Sequence, residues 1–223
     1  VIPSYSIDKA EVIVSFNADF LQNWLSPIEF ARQYGETRKL RKGKRTLSKH
    51  HQFESMLSLS GANADQRHKI KPSQQSAVIA SLYNKVAALT GGTSVNATAT
   101  PLDKSLDGIA KELVAAKGKS VVMSGSNDPN EQVMVNAINF PLGNYGSTIN
   151  LDRTCNLKNS NDAAYAQLLS DMDNGSVGAV IFWNTNPAYT ASNPKAFATT
   201  LAKVPVKISL SDREDETAQG CDY

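Results

Sequence analysis

Cysteine and histidine are scarce in this chain, and their scarcity limits the metal chemistry that the sequence can support. The cysteines are Cys155 and Cys221, and the histidines are His50, His51 and His68. Two cysteines supply neither a disulfide framework nor the four thiolates of an iron–sulfur site. Adjacent side chains point apart on a strand, so we expect His50 and His51 to be exposed rather than to bind a metal.

Long apolar runs and an excess of one charge are also lacking. No apolar stretch approaches the roughly 20 residues that a membrane helix needs, so we expect no direct membrane span. The 23 basic and 21 acidic residues leave a net charge of +2, which gives no global attraction to nucleic acid. The chain also lacks a Gly-x-Gly-x-x-Gly fingerprint, a P-loop and a Gly-x-Ser-x-Gly elbow.

Positive charge is concentrated in the segment 35–49, which we expect to form a loop. Its six clustered bases are Arg38, Lys39, Arg41, Lys42, Lys44 and Arg45. No aromatic side chains interleave with them, as they do on many nucleic-acid-binding surfaces. We therefore interpret the segment as a solvated loop, with a phosphate-binding arm as the less favoured alternative.

The most informative stretch runs from Gly178 to Pro194. Ala179–Trp183 is a short, unbroken apolar run, typical of a strand that is buried on both faces. Pro187 has no amide hydrogen for a sheet ladder, so the strand must end before it. Asn193 followed by Pro194 predicts the start of a helix, because Asn caps free amides and Pro fits the first turn.

A second stretch repeats this order of strand, polar loop and helix start. Here Ser120–Ser124 is the predicted strand, and Asp128 with Pro129 begins the next helix. In parallel α/β sheets, ligands bind at the carboxyl ends of the strands. The candidate binding side chains in the two loops are therefore Ser126, Asn127, Asn184 and Asn186. They would face one crevice if their strands were neighbours.

The remaining pattern predicts an α/β protein with a mostly parallel sheet flanked by helices. Further strands are expected at residues 11–16, 55–60 and 206–210, and further helices at 73–90, 100–117 and 162–172. Asn17 and Asp19 follow the first strand and are either ligand contacts or helix caps. Asp65 and Arg67 form either a site pair or a brace within a loop. The acidic run at 212–216 is interpreted as a solvated loop.

Three phrases, at 61–72, 136–146 and 178–187, together resemble the central pterin-binding domains of molybdopterin oxidoreductases. They are Gly-Ala-Asn-Ala-Asp-Gln-Arg-His-Lys-Ile-Lys-Pro, Asn-Ala-Ile-Asn-Phe-Pro-Leu-Gly-Asn-Tyr-Gly and Gly-Ala-Val-Ile-Phe-Trp-Asn-Thr-Asn-Pro. The resemblance covers roughly residues 10 to 220 and depends on the order and spacing of the phrases.

Further phrases, at 19–27, 59–65, 186–190 and 214–217, are similar to a narrower family. This is the iron–sulfur, molybdopterin-oxidoreductase-like B subunit of bacterial alternative complex III, a quinol:cytochrome c oxidoreductase. The similarity implies a periplasmic segment without a molybdenum cofactor, with iron–sulfur clusters elsewhere in the parent protein. It also implies that the partners are other subunits of a membrane respiratory complex, and not nucleic acid.

Two departures from the pterin enzymes favour an emptied cofactor site. Ser73 follows Pro72 where those enzymes have glycine, and Trp183 adds bulk near the expected crevice. On this interpretation the segment is a scaffold and not itself catalytic. The alternative is a fragment of a true molybdopterin-dependent oxidoreductase, in which Asn184, Asn186, Ser126 and Asn127 hold molybdopterin guanine dinucleotide.

The ends of the sequence predict that it is a segment of a longer protein. It begins with Val1 rather than Met, and the charged run at 212–216 precedes an end without a clear helix or strand. We expect residues 1–223 to form one α/β segment, with room for a sub-boundary near residues 91–101.

Overall fold

Short strands alternate with helices along the chain, which confirms the predicted α/β class. The computed structural model describes residues 2–40, 42–43, 46–155 and 160–223. The chain divides into two compact units, residues 1–158 and 159–223. No helix within the described ranges is long and apolar enough to cross a membrane.

The first unit is built on a four-stranded parallel sheet and a small antiparallel pair. Its strands are β1 (Pro3–Tyr5), β2 (Val12–Phe16), β3 (Lys49–Glu54), β4 (Gln66–Lys69), β5 (Ser120–Ser124) and β6 (Ile149–Thr154). Its helices are α1 (Pro27–Thr37), α2 (Leu59–Asn63), α3 (Gln75–Thr90), α4 (Asp103–Ala115) and α5 (Pro129–Asn139). The parallel sheet has the order β4-β3-β2-β5, and β1 pairs with β6.

Capping and backbone chemistry set the ends of these helices. Pro27 begins α1, because a first-turn proline needs no amide partner. The side chain of Asp128 accepts a hydrogen bond from the Asn130 amide at the start of α5. Helix α3 ends at Gly91, whose φ of 77° lies in the left-handed region that glycine adopts without strain.

Both faces of the four-stranded sheet are covered at β2 and β5, so these two strands read as apolar runs. One face packs on α3, α4 and α5, and its centre is the stacked pair Phe16 and Phe53, with ring centroids 4.8 Å apart. The opposite face packs Ile13 and Met123 against Phe30 of α1.

The prediction of a strand at residues 55–60 is wrong, because the strand that follows β2 lies earlier in the sequence. It is Lys49–Glu54, and from His50 onward all its side chains are buried. The apolar Met56 and Leu57 instead lie in the following loop, with 80% and 67% of their surface exposed. The expectation of exposed histidines at 50 and 51 is therefore also wrong, since hydrogen-bonding partners allow polar side chains to fill this strand.

The predicted loop at 35–49 is shorter than expected, because α1 extends to Thr37 and β3 begins at Lys49. Arg38 makes a bidentate ion pair with Asp65, with N–O distances of 2.7 and 2.9 Å. Arg41, Lys44 and Arg45 lie outside the described residues. The stretch 91–101 connects α3 with α4 inside the first unit, where those helices pack against each other.

The second unit contains a two-stranded parallel sheet with helices on one face. Its elements are α6 (Asp162–Asp173), β7 (Ala179–Trp183), α7 (Pro187–Thr190), α8 (Pro194–Leu201) and β8 (Val206–Leu210). Phe182 of β7 packs against Met172 of α6 and against Phe197 and Leu201 of α8. The side chain of Asn193 caps α8, as predicted, by accepting from the Ala196 amide at 3.1 Å.

The prediction that β7 is buried on both faces is wrong. Phe182 is buried, but Ile181 and Trp183 are 61% and 81% exposed. β7 pairs in register with β8, so Ile181 lies beside Ile208 and Trp183 beside Leu210 on the same side. The helices α6 and α8 pack on the opposite side, which contains Phe182.

Candidate functional site

The carboxyl ends of β2 and β5 mark the point where strand order reverses, which is where open α/β sheets bind ligands. Here the two loops lie in direct contact. A Cβ atom on Gly125 would lie 2.5 Å from the carbonyl oxygen of Asn17. The backbones therefore fill the space at this point, and only glycine is compatible with the approach.

Polar side chains next to the carboxyl ends of β2 and β5 form hydrogen bonds with one another. Asn17 donates from Nδ2 to Oε1 of Gln75. Gln75 in turn donates from Nε2 to Oε2 of Glu131 at 2.7 Å, and Ser76 donates its hydroxyl to the other oxygen of Glu131. Glu131 is buried at the start of α5, where a negative charge is stabilised by the helix dipole. This network ties α3 and α5 to β2.

The predicted site residues Ser126 and Asn127 lie in the loop after β5. The hydroxyl oxygen of Ser126 accepts from the Asp128 amide at 3.0 Å, so it helps to shape the turn into α5. Asn127 is exposed, and its side chain makes no hydrogen bond to another described residue.

Asn186 follows β7, and both polar atoms of its side-chain amide, Nδ2 and Oδ1, form hydrogen bonds. Its Nδ2 donates to Oε2 of Glu216 at 2.7 Å. Its Oδ1 accepts from the amide and the hydroxyl of Thr217, at 3.2 and 2.7 Å. Thr217 is buried, so this amide links the end of β7 to the segment after β8. The Asn186 side chain therefore stabilises the contact between these two loops.

Asn184 differs from Asn186 because it is exposed and forms the turn itself. Its φ is 49°, in the left-handed region that Asn tolerates better than most residues. No side-chain hydrogen bond joins it to the rest of the described chain. Asn17, after β2, has the same left-handed backbone with φ 50°. An Asn turn thus ends one strand in each unit.

The condition for a shared crevice is not met by the strand pairing. β5 pairs with β2, whereas β7 pairs with β8 in a separate sheet and a separate unit. Ser126 and Asn186 are engaged in bonds within their own units. Asn127 and Asn184 are exposed, so two of the four candidate side chains are bonded within their own unit and two are not.

The other predicted candidates, Asp19, Asp65 and Arg67, make hydrogen bonds and ion pairs that stabilise the fold. Asp19 accepts from the amide and hydroxyl of Ser60, at 2.9 and 2.7 Å, and so stabilises the start of α2. Asp65 pairs with Arg38 and not with Arg67. Arg67 instead donates from Nε to Glu54, at 2.5 Å.

Two asparagines of the 136–146 phrase protect the outer edge of β5. Asn139 bonds both backbone groups of Val122, accepting from its amide at 3.0 Å and donating to its carbonyl at 2.7 Å. Asn144 is buried and accepts from the Ser120 hydroxyl. These amides replace the hydrogen bonds that a further strand would supply.

Sequence reasoning missed one cluster of ionisable side chains that joins β3, β4 and α4. Glu112 Oε2 lies 2.8 Å from His51 Nε2, and His51 Nδ1 lies 3.5 Å from His68 Nε2. Lys49 forms an ion pair with the second oxygen of Glu112. The histidines are 17 positions apart, so only the pairing of β3 with β4 brings them together.

Burial keeps the histidines of this region neutral. Loss of solvent, together with the nearby His51, lowers the pKa of His68 to about 4. Burial also lowers the pKa of His51, although its bond to Glu112 opposes that effect. On the opposite face of β3, burial lowers the pKa of His50 to about 4. Burial tends to raise the pKa of Glu112, but hydrogen bonds from Lys49 and His51 lower it overall.

An apolar groove of about 870 Å³ lies between the ends of α3 and α5. Its walls include Val86, Ala87, Phe140 and Leu151, and they contain no Asp, Glu, His, Lys or Arg among the described residues. Such a lining suits binding of an apolar group.

No group of three or more His, Cys, Asp or Glu side chains is placed to hold a metal ion within the described ranges. Comparison with known proteins gives no family assignment, since no protein-family model and no curated protein matches the chain.

Proposed function

We propose that this chain is a non-catalytic, molybdopterin-oxidoreductase-like segment of a respiratory electron-transfer subunit. Its role would be to hold partner subunits and a separate iron–sulfur domain of a quinol-oxidising complex. A periplasmic location and a membrane complex as partner belong to the same proposal. Its starting point is the resemblance of the ordered phrases at 61–72, 136–146 and 178–187, together with the α/β fold.

The observation that carries the scaffold role is the state of Asn186. In a pterin-binding enzyme, this strand-end amide would face its ligand. Here both ends of the carboxamide are bonded to Glu216 and Thr217, and Thr217 is buried. Glu131 and Gln75 are bonded to each other in the same way at the end of β5. Side chains committed to the fold support a structural rather than a ligand-binding use of these loops.

The bare face of the β7–β8 sheet is suited to contact with a partner subunit. Ile181, Trp183 and Leu210 lie on it and are mainly exposed. A parallel sheet is normally covered on both faces, and aromatic side chains are common in the centres of protein interfaces. We therefore assign the docking of another subunit of the complex to this face.

Assembly of the parent complex tests the proposal. We expect Ile181→Ser with Trp183→Ser to reduce incorporation of the subunit, because the apolar contact is lost. Tyr189→Ser is the matched control, since Tyr189 is 71% exposed but lies on α7 and not on the sheet face. Normal incorporation of the double variant would contradict the proposed docking surface. Molybdenum retained by the purified segment would instead favour the enzyme alternative.

A further inference from the structure

Two imidazoles face each other across neighbouring strands of the first unit. His68 lies beside Phe53 in the β3–β4 register, and His51 is two residues before Phe53, so all three rings are on one face. His51 Nδ1 and His68 Nε2 are 3.5 Å apart, and the ring planes differ by 21°. On a tetrahedral zinc ion with bonds of about 2.0–2.1 Å, two nitrogens are about 3.3 Å apart. The observed separation is close to that of a chelating pair.

Glu112 orients the first of these rings. Its Oε2 lies 2.8 Å from His51 Nε2, so that nitrogen carries the proton and Nδ1 keeps its lone pair. A carboxylate bonded to the far nitrogen is the usual outer partner of a metal-binding histidine. Lys49 pairs with the other oxygen of Glu112 and holds the carboxylate in its ionised form.

The second ring is fixed but remains accessible. His68 stacks on Phe53 with ring centroids 4.5 Å apart and planes 17° apart. It lies on β4, the edge strand of the sheet, and is only partly buried.

We propose that His51 and His68 bind a divalent late-transition-metal cation, such as zinc or copper(II), with water completing the coordination. Imidazole nitrogen is a preferred ligand of these ions, whereas magnesium and calcium prefer oxygen. In the present geometry His51 Nδ1 and His68 Nε2 face each other. Metal binding would rotate the rings slightly, so that the lone pairs of both nitrogens point to the ion. The site is independent of the strand-end loops and of the scaffold role.

Calorimetric titration with zinc chloride, copper(II) chloride and magnesium chloride tests the site. The full chain is used with Cys155→Ser and Cys221→Ser, which remove the thiols as competing ligands. We expect saturable one-to-one binding of zinc and copper, and none of magnesium. Copper bound at the site should show two imidazole nitrogens in its electron paramagnetic resonance spectrum.

Three variants separate this site from other binding. His68→Phe keeps a ring to stack on Phe53 but has no nitrogen, so we expect affinity to fall at least tenfold. Glu112→Gln should weaken binding by about 10- to 100-fold, as loss of an outer carboxylate partner does. Lys69→Ala, on the same strand but on the opposite face of the sheet, should leave affinity unchanged.

Two results would overturn the proposal. One is the absence of saturable zinc or copper binding to a chain whose far-ultraviolet circular dichroism is that of the folded protein. The other is full affinity in His68→Phe, which would place the ion elsewhere. Because each variant leaves His50 in place, binding by that histidine would persist in all of them and be recognised.

Discussion

Acidification between pH 7 and pH 5 is expected to destabilise the first unit through His50. This side chain is fully buried, and burial lowers its pKa to about 4. The pKa of histidine in an unfolded chain is about 6.5. Because the folded-state pKa is the lower one, the full contribution to stability is present above about pH 6.5 and is lost as the pH falls toward 4.

The size of the effect follows from the two pKa values. With values of about 6.5 and 4, the difference in proton binding lowers the free energy of unfolding by about 2 kcal/mol between pH 7 and pH 5. Glu54, Asp65 and Glu112 also have lowered pKa values, but carboxylates lose their contribution mainly below about pH 4.5. The interval from pH 7 to pH 5 therefore reports on histidine.

Urea unfolding at pH 7, 6 and 5, followed by tryptophan fluorescence, measures this loss. Trp24 lies in the first unit and Trp183 in the second, so Trp183→Phe leaves Trp24 as a reporter for the unit that contains His50. Replacing His50 with Asn removes this titrating group, whereas His51 and His68, whose pKa values are also lowered, remain. We therefore expect the loss of stability between pH 7 and pH 5 to become smaller by about 2 kcal/mol, even if the variant is less stable at pH 7. An equally steep pH dependence in His50→Asn would contradict the assignment of this loss to buried, neutral His50.

Three substitutions test the structural contacts at the strand ends by chemical denaturation. Asn139→Ala should lower the free energy of unfolding by about 1–3 kcal/mol, because both backbone groups of Val122 lose a buried partner; an unchanged value would contradict the edge-protecting role. Gly125→Ala should cost about 1–3 kcal/mol through overpacking against Asn17, and a neutral effect would show that the loops can separate. Asn186→Ala should cost about 1–3 kcal/mol in the second unit, measured by Trp183 fluorescence. Asn184→Gly is its control, since glycine accepts the left-handed turn; equal losses in both variants would contradict the brace.

Much of the fold could be predicted because local rules agree with the final packing. Strands β2, β5, β7 and β8 and the start of α8 lie where apolar runs, Pro and Asx caps place them. Strand β3 could not be found in this way. Its sequence Lys-His-His-Gln-Phe-Glu is polar, and distant residues supply the partners that allow it to be buried. Tyr34 bonds the His50 side chain, Glu112 bonds the His51 side chain, and Asp65 accepts from the His50 amide.

The candidate sites were harder to predict for a related reason. Loop composition correctly indicated turns rich in Asn and Ser, but it could not show whether the amides are free or bonded. The partners of Asn186 are 30 and 31 positions away, at Glu216 and Thr217. The same limit hid the pair of His51 and His68, whose contact depends on strand order. The exposure of Trp183 depends on which face of the β7–β8 sheet is covered by helices. A short apolar run does not indicate whether one face or both faces of its strand are covered.

We propose that the strand-end loops serve the fold and do not bind a pterin nucleotide. Thermal unfolding of the unaltered chain, with and without molybdopterin guanine dinucleotide, tests it most directly. We expect no change in Tm at any ligand concentration, because a ligand raises Tm only if it binds the folded state. A saturable rise in Tm that is lost when Asn184 and Asn186 are both replaced with Ala would contradict it.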